Sequence, residues 1–208
     1  MRQCKEDYVD LWRITCNVDG RTGSDGRYIM VHTPAESEGI AEALDRAKKA
    51  GKARATGVSS HDRVWLTYMM EKFPDQIDAV VTPYTAKTKV LPRESFFDAV
   101  AACDCGVFGI KPFASASIFK GDSSPTSALG KQDDRIARLA IRYILCNPAI
   151  TAPIPGLINP QQVDNAALAV LERRELDQAE KAELNQAMEQ AWARLPCHYQ
   201  WLKDWEYV

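Results

Sequence analysis

The chain has 208 residues, with 26 Lys+Arg against 28 Asp+Glu and a formal charge of -2, the size of one domain or of a domain with an appendage. Its 46% hydrophobic and 26% charged content is that of a globular chain and argues against general disorder, while the near-neutral balance argues against a nucleic-acid partner. The longest apolar runs, such as Ala79-Val80-Val81, fall far short of the roughly 20 residues of a membrane span. Met1-Arg2-Gln3-Cys4-Lys5-Glu6-Asp7 has no apolar stretch of the kind a secretory signal carries, so no membrane contact and a cytoplasmic location are expected.

The elements alternate from the start. Residues 8–14, rich in β-branched and aromatic side chains, read as a strand. A Gly/Asp/Arg-rich loop over 17–31 delivers Thr33-Pro34-Ala35-Glu36, with Thr as N-cap, Pro at the first helical position and Glu in capping-box register. The helix that starts there carries Ile40, Ala43, Leu44 and Ala47 at helical spacing, and Lys48, Lys49 and Gly51 close it with a left-handed cap. Then come a strand at 54–59, a helix at 62–72 carrying Trp65, Met69 and Met70, and a strand at 77–82 stopped by Pro83. A helix at 92–103, a strand at 106–113, a polar stretch at 121–133 and a helix at 135–146 follow. A strand at 151–154 and helices at 159–171 and 177–195 complete the order.

Strict alternation with short connections implies parallel strands and right-handed crossovers, in a doubly wound sheet or in part of a (β/α) barrel. Five strands are too few for eight βα units. No G-x-G-x-x-G turn follows the first strand, which weighs against a Rossmann domain. The six cysteines lack a disulfide-framework spacing, and Cys103-Asp104-Cys105 has no second ligand pair at zinc-site spacing. Reduced thiols and no metal are expected.

Four ordered segments then resemble the aldo-keto reductase family. Asp7-Tyr8-Val9-Asp10-Leu11-Trp12 is similar to its fourth-strand entry, D-Y-I-D-L-Y, and Ala43-Leu44 through Gly51-Lys52, Arg54 and Gly57-Val58-Ser59-Ser60 to its passage into the fifth strand. Gly109-Ile110-Lys111-Pro112-Phe113-Ala114 resembles the seventh strand of the branch with Lys-Pro there. Ile154-Pro155-Gly156 with Asn159-Pro160-Gln161-Gln162-Val163-Asp164-Asn165 resembles the eighth strand and its cofactor loop. The resemblance implies a partial (β/α) TIM barrel of about five parallel strands, the family's fourth to eighth, with the first three βα units missing. Residues 1–172 would form the partial barrel and 173–208 a C-terminal helix and aromatic tail packed on it.

The family transfers hydride between a nicotinamide and a carbonyl with a Tyr, Lys, Asp and His. The resemblance places the Asp, Tyr and Lys in the missing portion and Thr15 at the His position, and a Thr hydroxyl is no proton source comparable with a tuned Tyr or His. No catalytic residue is therefore assigned. For the cofactor, Ser59 and Ser60 match the residues that hold the carboxamide, with Val81 where a Gln is expected. Lys111, Phe113, Ala114 and Ser115 match the seventh-strand segment, and Gly156, Asn159, Gln162, Asp164 and Asn165 the adenosine loop. NADP or NAD is implied with a partial site only, and the absence of Arg or Lys between Pro153 and Leu171 gives no support to NADPH over NADH. The implied function is an NAD(P)H-dependent oxidoreductase, weak or inactive alone; the alternative is a non-catalytic remnant that binds ligand or scaffolds.

Other polar residues read more plainly. His32 is expected as a solvated loop residue rather than a substitute catalytic one, His61 borders a helix start, and His198 lies at the surface. Lys111, inside a strand and before Pro112, needs either a carboxylate or a ligand anion. Lys87 and Lys89 are expected in a solvated loop. Trp192, Tyr199, Trp201, Trp205 and Tyr207 form an aromatic cluster dense enough to need burial. An unclosed sheet leaves an open edge, so a homo-oligomer, most simply a homodimer, is expected to cover it.

Overall fold

The computed structural model describes residues 7–16, 21–22, 28–29, 32–122, 124 and 126–203. Strands β1 (Val9–Thr15), β4 (Ala53–Ser59), β5 (Ala79–Pro83), β6 (Gly106–Ile110) and β7 (Ala152–Ile154) form one sheet in the order β1-β4-β5-β6-β7. All five run parallel and alternate with helices, and the sheet is not closed. Each new strand is added on the same side of the last. A doubly wound sheet would reverse direction at a switch point; this order has no reversal, which settles the choice left open by the sequence in favour of barrel-type winding.

The chain divides into two compact units, residues 1–82 with 91–108, and residues 83–90 with 109–208. In the first, Leu11 pairs with Ala55 and Thr15 with Ser59, and Gly57 and Ser59 pair with Ala79 and Val81. β5 is buried along its whole length and β4 along most of it, whereas β1 has no buried residue, as expected of inner parallel strands and an outer one. Helix α1 (Pro34–Lys49) starts on the expected box, Glu36 N–H donating to Thr33 Oγ1 at 3.3 Å and Thr33 N–H to Glu36 Oε2 at 2.8 Å. It ends in a Schellman turn: Gly51 N–H donates to Lys48 O and Lys52 N–H to Ala47 O, with Gly51 at φ 65°. Lys48 Nζ then reaches the Asp78 carboxylate at 2.8 Å, and Asp78 accepts the Thr56 N–H at 2.7 Å. The end of α1 is thereby tied to the β4–β5 pair. Helices α2 (Arg63–Lys72) and α3 (Phe96–Ala102) pack together, and Leu44, Val58, Trp65, Leu66, Met69, Met70 and Val80 are its fully buried core.

In the second unit, α4 (Gly130–Leu145) packs against α5 (Pro160–Leu171), α6 (Gln178–Ala193) and β7. Ile136, Leu139, Ala140, Met188, Leu184 and Leu202 lie in its core, and Tyr199 and Trp201 pack against it from a terminal 3-10 helix, Cys197–Lys203. Trp205 and Tyr207 lie outside the described residues.

Several expected boundaries move. The loop over 17–31 contains a two-residue antiparallel ladder, β2 (Arg21–Thr22) with β3 (Tyr28–Ile29). Helix α3 begins after Ser95 rather than at Pro92, because Ser95 and Asp98 make a second capping box. Helix α4 begins a turn earlier than expected, without a side-chain cap. β6 stops at Ile110 rather than 113, since Lys111 takes φ 63° and leaves the sheet.

Candidate functional site

The segment after β6 is the least ordinary backbone among the described residues. Lys111 is at φ 63°, and Ala114, Ser115 and Ala116 follow one another at 48°, 56° and 66°. Left-handed geometry costs an L-residue about 1–2 kcal/mol, and such strain persists where the surroundings over-determine it, often at ligand sites. Here Ala114 N–H donates to Lys111 O at 2.9 Å, Ser117 N–H to Ala114 O at 3.1 Å and Phe119 N–H to Ala116 O at 3.1 Å. Phe113 and Phe119 pack ring on ring at 5.0 Å beneath the turn. Ser115 Oγ is buried with no hydrogen-bond partner. A hydroxyl left in that state costs stability unless a ligand completes it.

The opposing wall is the β7–α5 connection. Pro160 opens α5, the Asn159 side chain accepts the Gln162 N–H at 2.9 Å, and Gln162 Oε1 accepts the Ile158 N–H at 2.9 Å. This closure satisfies two loop amides and sets the first turn of α5 against the cavity. Asn165 Nδ2 donates to Asp134 O at 2.9 Å and its Oδ1 accepts from the Arg138 guanidinium at 2.5 Å, so its amide couples α4 to α5.

Between these walls lies a cavity of about 690 Å³. Lys111, Phe113 and Ser115 line it from the β6 side, and Gly156, Asn159, Gln162 and Asn165 from the α5 side. Ala114 is wholly buried between two lining residues, and Asp164 is exposed away from the cavity. Lys111 does not have the carboxylate partner weighed from sequence. Among the described residues it makes no ion pair, and its ammonium sits 5.0 Å over the Tyr199 ring, a cation–π contact that leaves its charge available. Tyr199, expected only as part of an aromatic cluster, also lines the cavity, as do Asp133, at the end of the stretch read as polar, and Asp134, which was not singled out from sequence.

Ser59 and Ser60 belong to the other unit, both buried at the end of β4. Ser60 is occupied locally: its N–H donates to Val81 O, its carbonyl accepts from Thr82 Oγ1, and its Oγ accepts the Asp62 N–H at 3.0 Å, leading into the N-cap of α2. Thr15 is exposed at the end of β1 and accepts from Arg13. His32 is not the solvated residue expected. Its ring packs 4.7 Å from that of Trp65. Lys87 likewise is ion-paired, to Glu189 of α6. His61 borders α2 beside the capping Asp62, and His198 is exposed.

Burial pushes the Cys16 thiol up to about 11 and that of Cys105 to about 12, which keeps both protonated and unreactive. Among the described residues no three metal-type side chains gather, and no helix is long and apolar enough to cross a membrane.

The aldo/keto reductase family model matches residues 1–189, and the chain belongs to that family. No curated protein matches it significantly. Among solved structures it is similar to the holo form of the aldo-keto reductase AKR11C1 from Bacillus halodurans, at 17% identity and TM-score 0.59, covering 89% of this chain and 63% of that one. A thermostable aldo-keto reductase in complex with the inhibitor epalrestat matches at 16% identity and TM-score 0.61, covering 89% and 62%. The aldo-keto reductase MGS-M4, from a Medee basin deep-sea metagenome library, matches at 17% and 0.61, covering 89% and 61%. The chain thus spans less than two thirds of the length of the structures it resembles. Family and fold make it an oxidoreductase-like protein of a family that generally binds NAD(P)H.

Proposed function

We propose that the cavity between the β6–α4 connection and α5 holds the phosphate and adenosine portion of a nicotinamide dinucleotide. The observation that carries this reading is the convergence on one cavity of an unpaired ammonium on Lys111, a buried hydroxyl without a partner on Ser115 and the N-terminal turn of α5. A pyrophosphate calls for each of these: a positive charge, a donor already stripped of water, and the positive end of a helix dipole. The bound dinucleotide would supply hydride; Lys111 and Ser115 bind and orient it, and Phe113 and Phe119 exclude water from the turn that carries them.

In this reading the catalytic Asp, Tyr and Lys are not among these 208 residues. Thr15 in place of the His gives no substitute acid, so carbonyl reduction by the chain alone is weak or absent. A non-catalytic remnant, binding ligand or scaffolding, is the second reading, favoured by that same Thr15. The protein is proposed to be cytoplasmic and to self-associate.

The test is a titration of purified protein with NADH and NADPH, following tryptophan-to-nicotinamide fluorescence transfer. Saturable binding that is weakened in Ser115→Leu, which removes the hydroxyl and crowds the turn, supports the cofactor reading. No binding at millimolar nucleotide would overturn it and leave the scaffold.

A further inference from the structure

The charges lining the cavity are unbalanced. Lys111 is its only cationic side chain among the described residues, against the carboxylates of Asp133 and Asp134. Asp133 is committed, its Oδ1 accepting the Lys120 N–H at 2.9 Å and its Oδ2 the Gly121 N–H at 2.8 Å. Asp134 is not. Its carboxylate has no hydrogen bond or ion pair among the described residues, while its backbone carbonyl takes Asn165 Nδ2 at 2.9 Å, which fixes the residue beside α5. No Arg or Lys occurs from 153 to 171, and Arg138, one turn further along α4, is spent on Glu172 at 2.9 Å and Asn165 at 2.5 Å.

A carboxylate only accepts hydrogen bonds, and its two oxygens match the two donors of a vicinal diol. A 2′-phosphate beside it would add a charge of about -1.5 to -2, and with Lys111 taken by the pyrophosphate no second cation lines the cavity among the described residues to offset the repulsion. We propose that Asp134 selects a dinucleotide whose adenosine ribose keeps its 2′- and 3′-hydroxyls, NADH, and rejects the 2′-phosphorylated NADPH. The inference rests on the cofactor reading of the cavity and adds a determinant to it. Asp134 acts through its side chain, so replacing it leaves the backbone bond to Asn165 in place.

The experiment is to measure Kd for NADH and for NADPH by fluorescence transfer on wild type, Asp134→Ala and Asp134→Asn, with thermal melts to show that the variants are folded. Wild type is expected to bind NADH at least about tenfold more tightly, the worth of charge-assisted hydrogen bonds to a diol. Asp134→Ala should weaken NADH, tighten NADPH and bring the ratio towards one; Asp134→Asn, which keeps the shape and removes the charge, should relieve the penalty on NADPH. Equal wild-type affinities, or a ratio unmoved by both substitutions, would overturn the selectivity while leaving the cofactor site standing. If neither nucleotide binds wild type at millimolar concentration, the cofactor reading falls and Asp134 falls with it.

Discussion

A Cβ placed on Gly57 would lie 2.0 Å from the carbonyl oxygen of Ala79 on the neighbouring strand. The Gly in Gly57-Val58-Ser59-Ser60 therefore answers to a close approach of two backbones, which no flexible side chain can relieve. Gly51 is the contrasting case: nothing lies within 4 Å of its added Cβ, but its φ is 65°. Gly57→Ala is expected to lose about 3 kcal/mol through forced strand displacement, and Gly51→Ala about 1 kcal/mol through strain alone, with Gly51→Asn in between wild type and Ala. Urea unfolding of the three variants checks this, and equal losses at the two sites would rule out the steric account. Lys111 is the residue whose surroundings decide its chemistry. Lys111→Met keeps the stem over Tyr199 and removes the charge, so NADH affinity should fall about tenfold while the thermal midpoint holds. A fall in the midpoint with affinity unchanged would make Lys111 a packing residue.

At the scale of elements, the firmest junction in the second unit is built on one arginine. Arg142 on α4 is 3% exposed and spends its guanidinium on the carbonyls of Arg173 and Glu175, at 2.6 and 2.8 Å, and on both oxygens of Glu180, at 3.0 and 3.1 Å. Glu180 is also the N3 residue of the capping box that starts α6. One carboxylate therefore fixes both the start of α6 and its seat on α4. The Arg142 hydrogen bonds, with those from the Asp177 N–H and Arg173, hold its carboxyl at about 2, below the ordinary 4.5. A group whose folded value is lowered stabilises the fold fully above its unfolded value and loses that contribution as pH falls. Thermal midpoints of wild type should therefore drop between about pH 4.5 and pH 2. Glu180→Gln should be less stable by about 3 kcal/mol at pH 7, where it leaves the buried guanidinium only the more distant Glu172 carboxylate at 3.4 Å as an ion-pair partner, with the gap closing by pH 2; a gap that persists there would place the effect in packing.

These elements also show what the amino-acid pattern could convey. Thr33 with Glu36 and Asp177 with Glu180 are local signals, and both helices begin where they point. Ser95 with Asp98 is the same signal, masked by Pro92 a turn upstream. Helix α4 has no capping side chain at all, so its first turn, with Asp133 and Asp134, looks like loop. Lys111 runs against its local preference, since a residue before Pro favours extended backbone; only tertiary packing sets its φ of 63°. The residues of the family motif that gather at the cavity were legible in the sequence, whereas the part that Tyr199 and Asp134 play in lining it depends on chain segments brought together by folding.

At the scale of the whole molecule, the unreversed strand order leaves β1 and β7 as the edges of the sheet among the described residues. Near the β7 edge, the outward face of α5 is unusually apolar: Val163, Leu168, Val170 and Leu171 are all exposed, Leu171 to 81%, and Ile158 to 76% just before the helix. A contiguous apolar patch of this kind on a chain with 26% charged residues marks an interaction surface or an aggregation liability. Asp164 is the only charged residue of the helix, so an antiparallel pair of α5 helices across a two-fold axis would bury both apolar stripes at little cost in charge. Light scattering after size exclusion should then give a mass about twice the 23.2 kDa of the chain. Val170→Lys with Leu171→Lys touches no buried contact and places positive charge at a helix C-terminus, where the dipole favours it, so it should halve the mass and leave the far-UV circular dichroism intact. A wild-type monomer at every concentration would show that this stripe does not join two copies, and a dimer indifferent to the two lysines would move the interface off α5.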